Sequence, residues 1–109
     1  MKTLFAISML LFGGISDLLA AEYVVTQRNK GFEYNGKAAE TLTIHVGDTI
    51  RFKNEDAFFH AIFSESASNA FKLNRITTGQ SEVVKFDEPG TVDVECAIHR
   101  SMYIEVKVK

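Results

Sequence analysis

Cys96-Ala97-Ile98-His99-Arg100-Ser101-Met102 places a thiol, an imidazole and a thioether at three-residue intervals. The chain contains one Cys and three His, and two of its three Met (Met1 and Met9) lie in the apolar leader described below. A lone Cys has no partner for an internal disulfide, so it is a free thiol, an intermolecular bridge or a metal ligand. A thiolate, an imidazole and a thioether together form the donor set that suits copper cycling between Cu(I) and Cu(II). A site of that type needs a second imidazole in its trigonal plane, and His45 and His60 are the candidates.

Strand parity separates the two. In Thr41-Leu42-Thr43-Ile44-His45-Val46 the polar and apolar residues alternate, which sets His45 on the face of Thr41 and Thr43, towards solvent. His60 sits between Phe58-Phe59 and Ala61-Ile62-Phe63, where an imidazole needs a polar partner or a metal. Parity therefore favours His60. By the same alternation Cys96 shares an inward face with Val92 and Val94, and Met102 shares one with Ile104, Val106 and Val108. Taken singly, a buried His, Cys or Met is usually packing. Cys96 and Met102 ending two adjacent strands, with His99 on the loop between them, point to a shared site at one pole.

The elements that must position these residues read as strands throughout. Tyr23 to Thr26 is a short strand, and residues 29–39, with Gly31 and Asn35-Gly36, read as a loop or hairpin turn. Residues 41–46 and 49–53, joined by Gly47-Asp48, read as two half-buried antiparallel strands. The evenly apolar residues 58–64 read as a strand buried on both faces. Residues 66–80 read as a long connection with a helical turn, followed by strands at 83–86, 91–96 and 103–109. About seven short strands with regular turn signals imply an all-β, Greek-key sandwich. Nine Phe and no Trp suggest a core built on phenylalanine.

At 109 residues the chain has room for one domain, and 46% apolar with 24% charged residues is ordinary for a globular protein. Lys2, the apolar stretch from Thr3 to Ile15, and Leu19-Ala20-Ala21 read as an export signal over residues 1–21, cleaved near Ala20 or Ala21. The apolar run falls short of the roughly 20 residues that span a bilayer. The expectation is therefore a mature domain of residues 22–109 in the periplasm, without membrane insertion. No twin-arginine pair precedes the run, so export precedes metal loading. A net charge of −2 with no basic stripe argues against nucleic-acid binding.

The pattern His60…Cys96-x-x-His99-x-x-Met102 resembles the copper signature of the plastocyanin-like cupredoxins, and its loop spacing is similar to that of amicyanin. Val46-Gly47-Asp48-Thr49-Ile50-Arg51-Phe52-Lys53-Asn54 and Phe86-Asp87-Glu88-Pro89-Gly90-Thr91 resemble the family's segments ahead of each ligand. The His60–Ser64 run is similar to small bacterial plastocyanin-like proteins. The resemblance implies one type 1 copper held by His60, Cys96 and His99 in a plane with Met102 as long axial ligand. It also implies an electron port at the edge of His99, rimmed by Ala97, Ile98 and Arg100. Two positions depart from the family pattern. Ala61 stands where many members have an Asn that ties the ligand loops together, and Arg100 where amicyanin has Pro. Glu55-Asp56 and Asp87-Glu88 read as turn residues.

The function expected is single-electron transport with a redox protein partner (a cytochrome, oxidase, reductase or dehydrogenase) by a monomer. The alternative is copper tolerance or delivery, although no Met-rich or His-rich tract for Cu(I) capture is present. A metal-free sandwich used for binding is the third class. Four protein ligands leave no open position for substrate, and no Ser-His-Asp or paired-carboxylate grouping is apparent, so an enzyme is not expected.

Overall fold

The computed structural model describes residues 20–109, so the expected export signal lies outside the described residues except for Ala20 and Ala21. Ten strands follow in order: β1 (Glu22–Arg28), β2 (Gly31–Tyr34), β3 (Lys37–Ala38), β4 (Thr41–Ile44), β5 (Thr49–Asn54), β6 (Ile62–Ser64), β7 (Phe71–Lys72), β8 (Ser81–Lys85), β9 (Gly90–Cys96) and β10 (Tyr103–Val108). They form two five-stranded sheets, ordered β3-β2-β1-β5-β8 and β4-β10-β9-β6-β7. The β1–β5 and β10–β4 pairs are parallel, and the other pairs are antiparallel. Parallel neighbours cannot be joined by a tight turn, so the chain must cross between sheets, as a Greek-key sandwich does. Among the described residues no helix is long and apolar enough to cross a membrane.

The alternation read from the sequence holds where the site depends on it. Val92, Val94 and Cys96 of β9 are buried, and so are Ile104, Val106 and Val108 of β10. These two strands form one antiparallel ladder from Val108↔Gly90 to Tyr103↔Glu95, which leaves Cys96 and Met102 at its open end.

Four local expectations are corrected. Strands β4 and β5 are not a hairpin, because they lie in opposite sheets. Gly47, at φ 98°, turns the chain from one layer to the other, and the buried Asp48 carboxylate braces the turn by accepting from the His45 and Ala21 amides. Alternation is the same in a hairpin and in such an arch, so parity could not distinguish them. Residues 58–64 are not one doubly buried strand; β6 covers only 62–64, with Ser64 rather than an apolar residue buried at its end, and His60 adds an isolated bridge to Ile76. Residues 66–80 contain the short β7 and no helical turn; residues 29–39, by contrast, hold the β2–β3 hairpin that Asn35-Gly36 signals. The core is mainly Val and Ile, because β-branched side chains pack well on pleated strands. Among the described phenylalanines only Phe32, Phe52 and Phe86 are buried in it.

Across the β9–β10 ladder, the Tyr103 hydroxyl donates to Asp93 Oδ1 at 2.6 Å. That hydrogen bond, then burial and the negative charges of Asp93, Glu105 and Glu95, push the Tyr103 pKa up to about 12. A phenol whose folded pKa is raised contributes stability that is complete below its unfolded value of about 10 and fades as the pH rises towards 12. Titration of the tyrosinate absorbance should accordingly show one of the three tyrosines ionising last. Asp93→Asn should bring that step back towards 10, whereas an unchanged step in Asp93→Asn would refute the assignment.

Candidate metal centre

Cys96 ends β9, and its register partner Ile62 begins β6, so backbone pairing fixes the thiol against the segment that carries His60. The Ala97 amide donates to the Ala61 carbonyl at 2.9 Å, adding a further rung between the two loops. The two ligand loops are thus joined through the main chain, with no side-chain tie from Ala61. His60 is held from its other side by reciprocal hydrogen bonds with Ile76, at 3.1 and 2.8 Å. Asn54, fully buried at the end of β5, braces the approach: its Nδ2 donates to the Phe58 and Ile76 carbonyls, and its Oδ1 accepts from the Asp56 amide. The Met102 amide closes the last loop on the His99 carbonyl at 2.9 Å.

These constraints converge. Cys96 Sγ lies 3.6 Å from His60 Nδ1 and 3.9 Å from His99 Nδ1. The ligand atoms of His60, Cys96 and His99 all fall within 4.8 Å of one another, with His60 and Cys96 buried and His99 half-buried. Bonds of about 2.0 Å to nitrogen and 2.3 Å to sulfur at trigonal angles put the two donors about 3.7 Å apart, taking lengths typical of a first-row ion. Both sulfur–nitrogen separations would therefore suit one ion held by the three side chains. Met102 is fully buried at the head of β10, directly after the loop that carries His99. His45 is exposed beside Asp48 and is not part of the cluster, as parity anticipated.

Asp56, a turn residue by its sequence context, has a larger part in the structure. Its Oδ2 lies 2.6 Å from His60 Nε2, and both groups are buried. Burial pushes the Asp56 pKa up, but the hydrogen bonds from His60 and from the Lys30 and Asn29 amides, together with the imidazole's charge, outweigh it and leave the carboxyl below the usual range. An ionised carboxylate only accepts, so Nε2 carries the proton, and it is the neutral form of the ring that leaves Nδ1 with its lone pair on the Cys96 side. The signal in the sequence was an acid four residues before His60, a spacing with no fixed meaning outside a helix.

Phenylalanine packs around the imidazoles. The Phe58 ring lies 5.4 Å from His60 and 5.0 Å from His99, centroid to centroid, while remaining 38% exposed. Phe58 therefore covers the histidines at the surface. Phe63 lines an open depression with Phe71 and Ala97.

A β-sandwich with two imidazoles and a thiolate gathered at one pole defines the cupredoxin class of copper protein. The chain belongs to the copper binding proteins of the plastocyanin/azurin family, whose model matches residues 21–109, and its metal is one type 1 copper ion. Among solved structures, a Cu(I) form of a Met-to-Ala variant of amicyanin is similar at 25% identity and TM-score 0.70, covering 81% of this chain and 82% of that one. The oxidised form of a Pro-to-Ala variant of amicyanin is similar at 26% identity, with the same TM-score and coverage. A copper-containing nitrite reductase from Thermus scotoductus SA-01 matches at 23% identity and TM-score 0.71 over only 22% of its own chain, which shows the fold alone. No curated protein matches by sequence.

The Asp56 contact carries a test. Asp56→Asn should weaken copper binding by roughly 10–100-fold, as loss of a partner to a ligating imidazole does. Chelator competition would measure it, and unaltered affinity in a folded variant would show that the carboxylate does not orient the ring.

Proposed function

We propose that the protein is a single-electron carrier whose copper would be held by His60, Cys96, His99 and Met102. The observation that carries this reading is the thiol of Cys96 set between two imidazole nitrogens at 3.6 and 3.9 Å by backbone pairing rather than by flexible side chains. Copper supplies the one-electron Cu(I)/Cu(II) couple. The protein's contribution is to keep the donors in one arrangement for both oxidation states, so that little reorganisation accompanies electron exchange. Cys96 would hold the copper as thiolate, giving up its thiol proton. Asp56 fixes the tautomer of His60, and Phe58 limits access of water to the buried imidazole.

His99 is the ligand nearest the surface. Its edge, among the exposed Ala97, Ile98 and Phe58, is the route by which electrons enter and leave. Four protein donors leave no open coordination position, so the protein is a carrier rather than an enzyme. It acts as a monomer in the periplasm after removal of residues 1–21, exchanging electrons with a redox protein.

Copper-loaded protein should show an intense visible thiolate-to-copper charge-transfer band and reversible one-electron potentiometry. Cys96→Ser should abolish the band, and His60→Ala or His99→Ala should shift or bleach it, whereas His45→Ala should leave it intact. Loss of the band in His45→Ala with retention in His60→Ala would overturn the ligand assignment. A tightly bound copper that exchanges no electrons with any oxidant or reductant would instead favour copper tolerance or delivery.

A further inference from the structure

The loops that surround the metal pole carry a charge opposite to that of the whole chain. Residues 29–31, 55–61, 73–80 and 97–102 are tied together by the Asp56 contacts, the His60–Ile76 bridge and the Ala97–Ala61 hydrogen bond. They contain Lys30, Arg75 and Arg100 as cations, against only Glu55 and Asp56 as acids, in a chain of net charge −2. Both acids are engaged. Asp56 is buried on His60, and Glu55 pairs with Arg28 and Lys53. None of the three cations enters an ion pair among the described residues.

Two of these cations are fixed by the aromatic residues of the site. Lys30 Nζ lies 5.7 Å from the centroid of Phe58, the ring that packs on His99, and the Arg75 guanidinium lies 4.7 Å from that of Phe59. Arg100 follows His99 directly and is exposed. The exposed side chains next to His99 are apolar, with Ile98 46% and Phe58 38% exposed. A cation resting on a ring is held at the surface while keeping its charge unneutralised. The result is an apolar contact rimmed by three positive charges.

We propose that the redox partner docking over His99 presents a face rich in carboxylates, and that Lys30, Arg75 and Arg100 steer and orient it. This rests on the electron-carrier reading above. Opposed charges around an apolar centre raise the encounter rate and fix orientation while leaving the complex short-lived, which suits a carrier that must leave after each transfer. The small number of cations and their placement around one apolar spot favour a protein face over an extended anionic surface.

The test uses small reagents that feel the field at the port. Copper-loaded, reduced protein is mixed with hexacyanoferrate(III), an anion, or with tris(phenanthroline)cobalt(III), a cation. In each case one electron passes from Cu(I) to the reagent's metal, and the rate is followed across ionic strength. If net charge governed the encounter, salt would speed the anion and slow the cation. The proposal gives the reverse: the hexacyanoferrate rate falls several-fold as salt rises, because screening removes the local attraction. The combined variant Lys30→Gln, Arg75→Gln and Arg100→Gln, with its visible band intact, should lose that dependence. Salt effects that follow net charge, no salt effect, or an unchanged dependence in the combined variant would each overturn the proposal. So would co-sedimentation of the wild type with phosphatidylglycerol vesicles that the variant loses, which would assign the cations to a lipid surface. If neither reagent reoxidises the copper, the carrier reading itself fails, a result distinct from all of these.

Discussion

A buried carboxylate against a buried imidazole is the interaction on which the metal pole depends. Taken alone, Asp56 would be costly where it sits, because moving a carboxylate out of water is expensive unless hydrogen bonds replace the water. It is offset by three donors: His60 Nε2 and the amides of Asn29 and Lys30. The same arrangement decides which nitrogen of His60 faces Cys96. Breaking it would leave a charge in the interior and a ring free to choose its tautomer, so fold and metal chemistry share one contact.

The rest of the pole is built to make that contact unavoidable. Asn54 at the end of β5 turns three backbone groups to its own amide, and Thr78 donates to the Asp56 carbonyl. The segment 55–60 is thereby held although it contains no regular strand. On the opposite side, the β9–β10 ladder delivers Cys96 and Met102 from two neighbouring strand ends. His99, on the loop between them, is the one member of the cluster left partly open to solvent. Rigidity at two ligands and access at the third divide holding the ion from exchanging its electron.

Much of this was legible in the residues because period-two patterning is a strong signal wherever one face is buried. It placed Cys96, Val94 and Val92 inward, His45 outward, and gave the sandwich class. It was silent on partner choice: Leu42-Thr43-Ile44 and Ile50-Arg51-Phe52 alternate identically whether they form a hairpin or an arch, and they form an arch. The two-residue strands β3 and β7 are too short to show a period. Phenylalanine content misleads because Phe58, Phe59 and Phe63 stay partly exposed instead of filling the core, Phe58 lying against the two imidazoles. Asp56 was read as a turn residue because its role is set by the tertiary meeting of the 29–30 turn with the 54–60 segment.

The turn itself carries a consequence. Asn29 and Lys30 both adopt left-handed backbone, at φ 55° and 58°. Asn tolerates that region, but for Lys it costs of order 1–2 kcal/mol, and Gly would sit there more easily. The strained lysine nevertheless lends its amide to Asp56 and its ammonium to Phe58, so position 30 serves the interior ligand and the exterior rim together. Positions 30, 56, 58 and 60 therefore form an epistatic unit, in which a change at one resets the effect of changes at the others. Lineages of this sequence are free to drift in the turn only if the carboxylate and the ring drift with it.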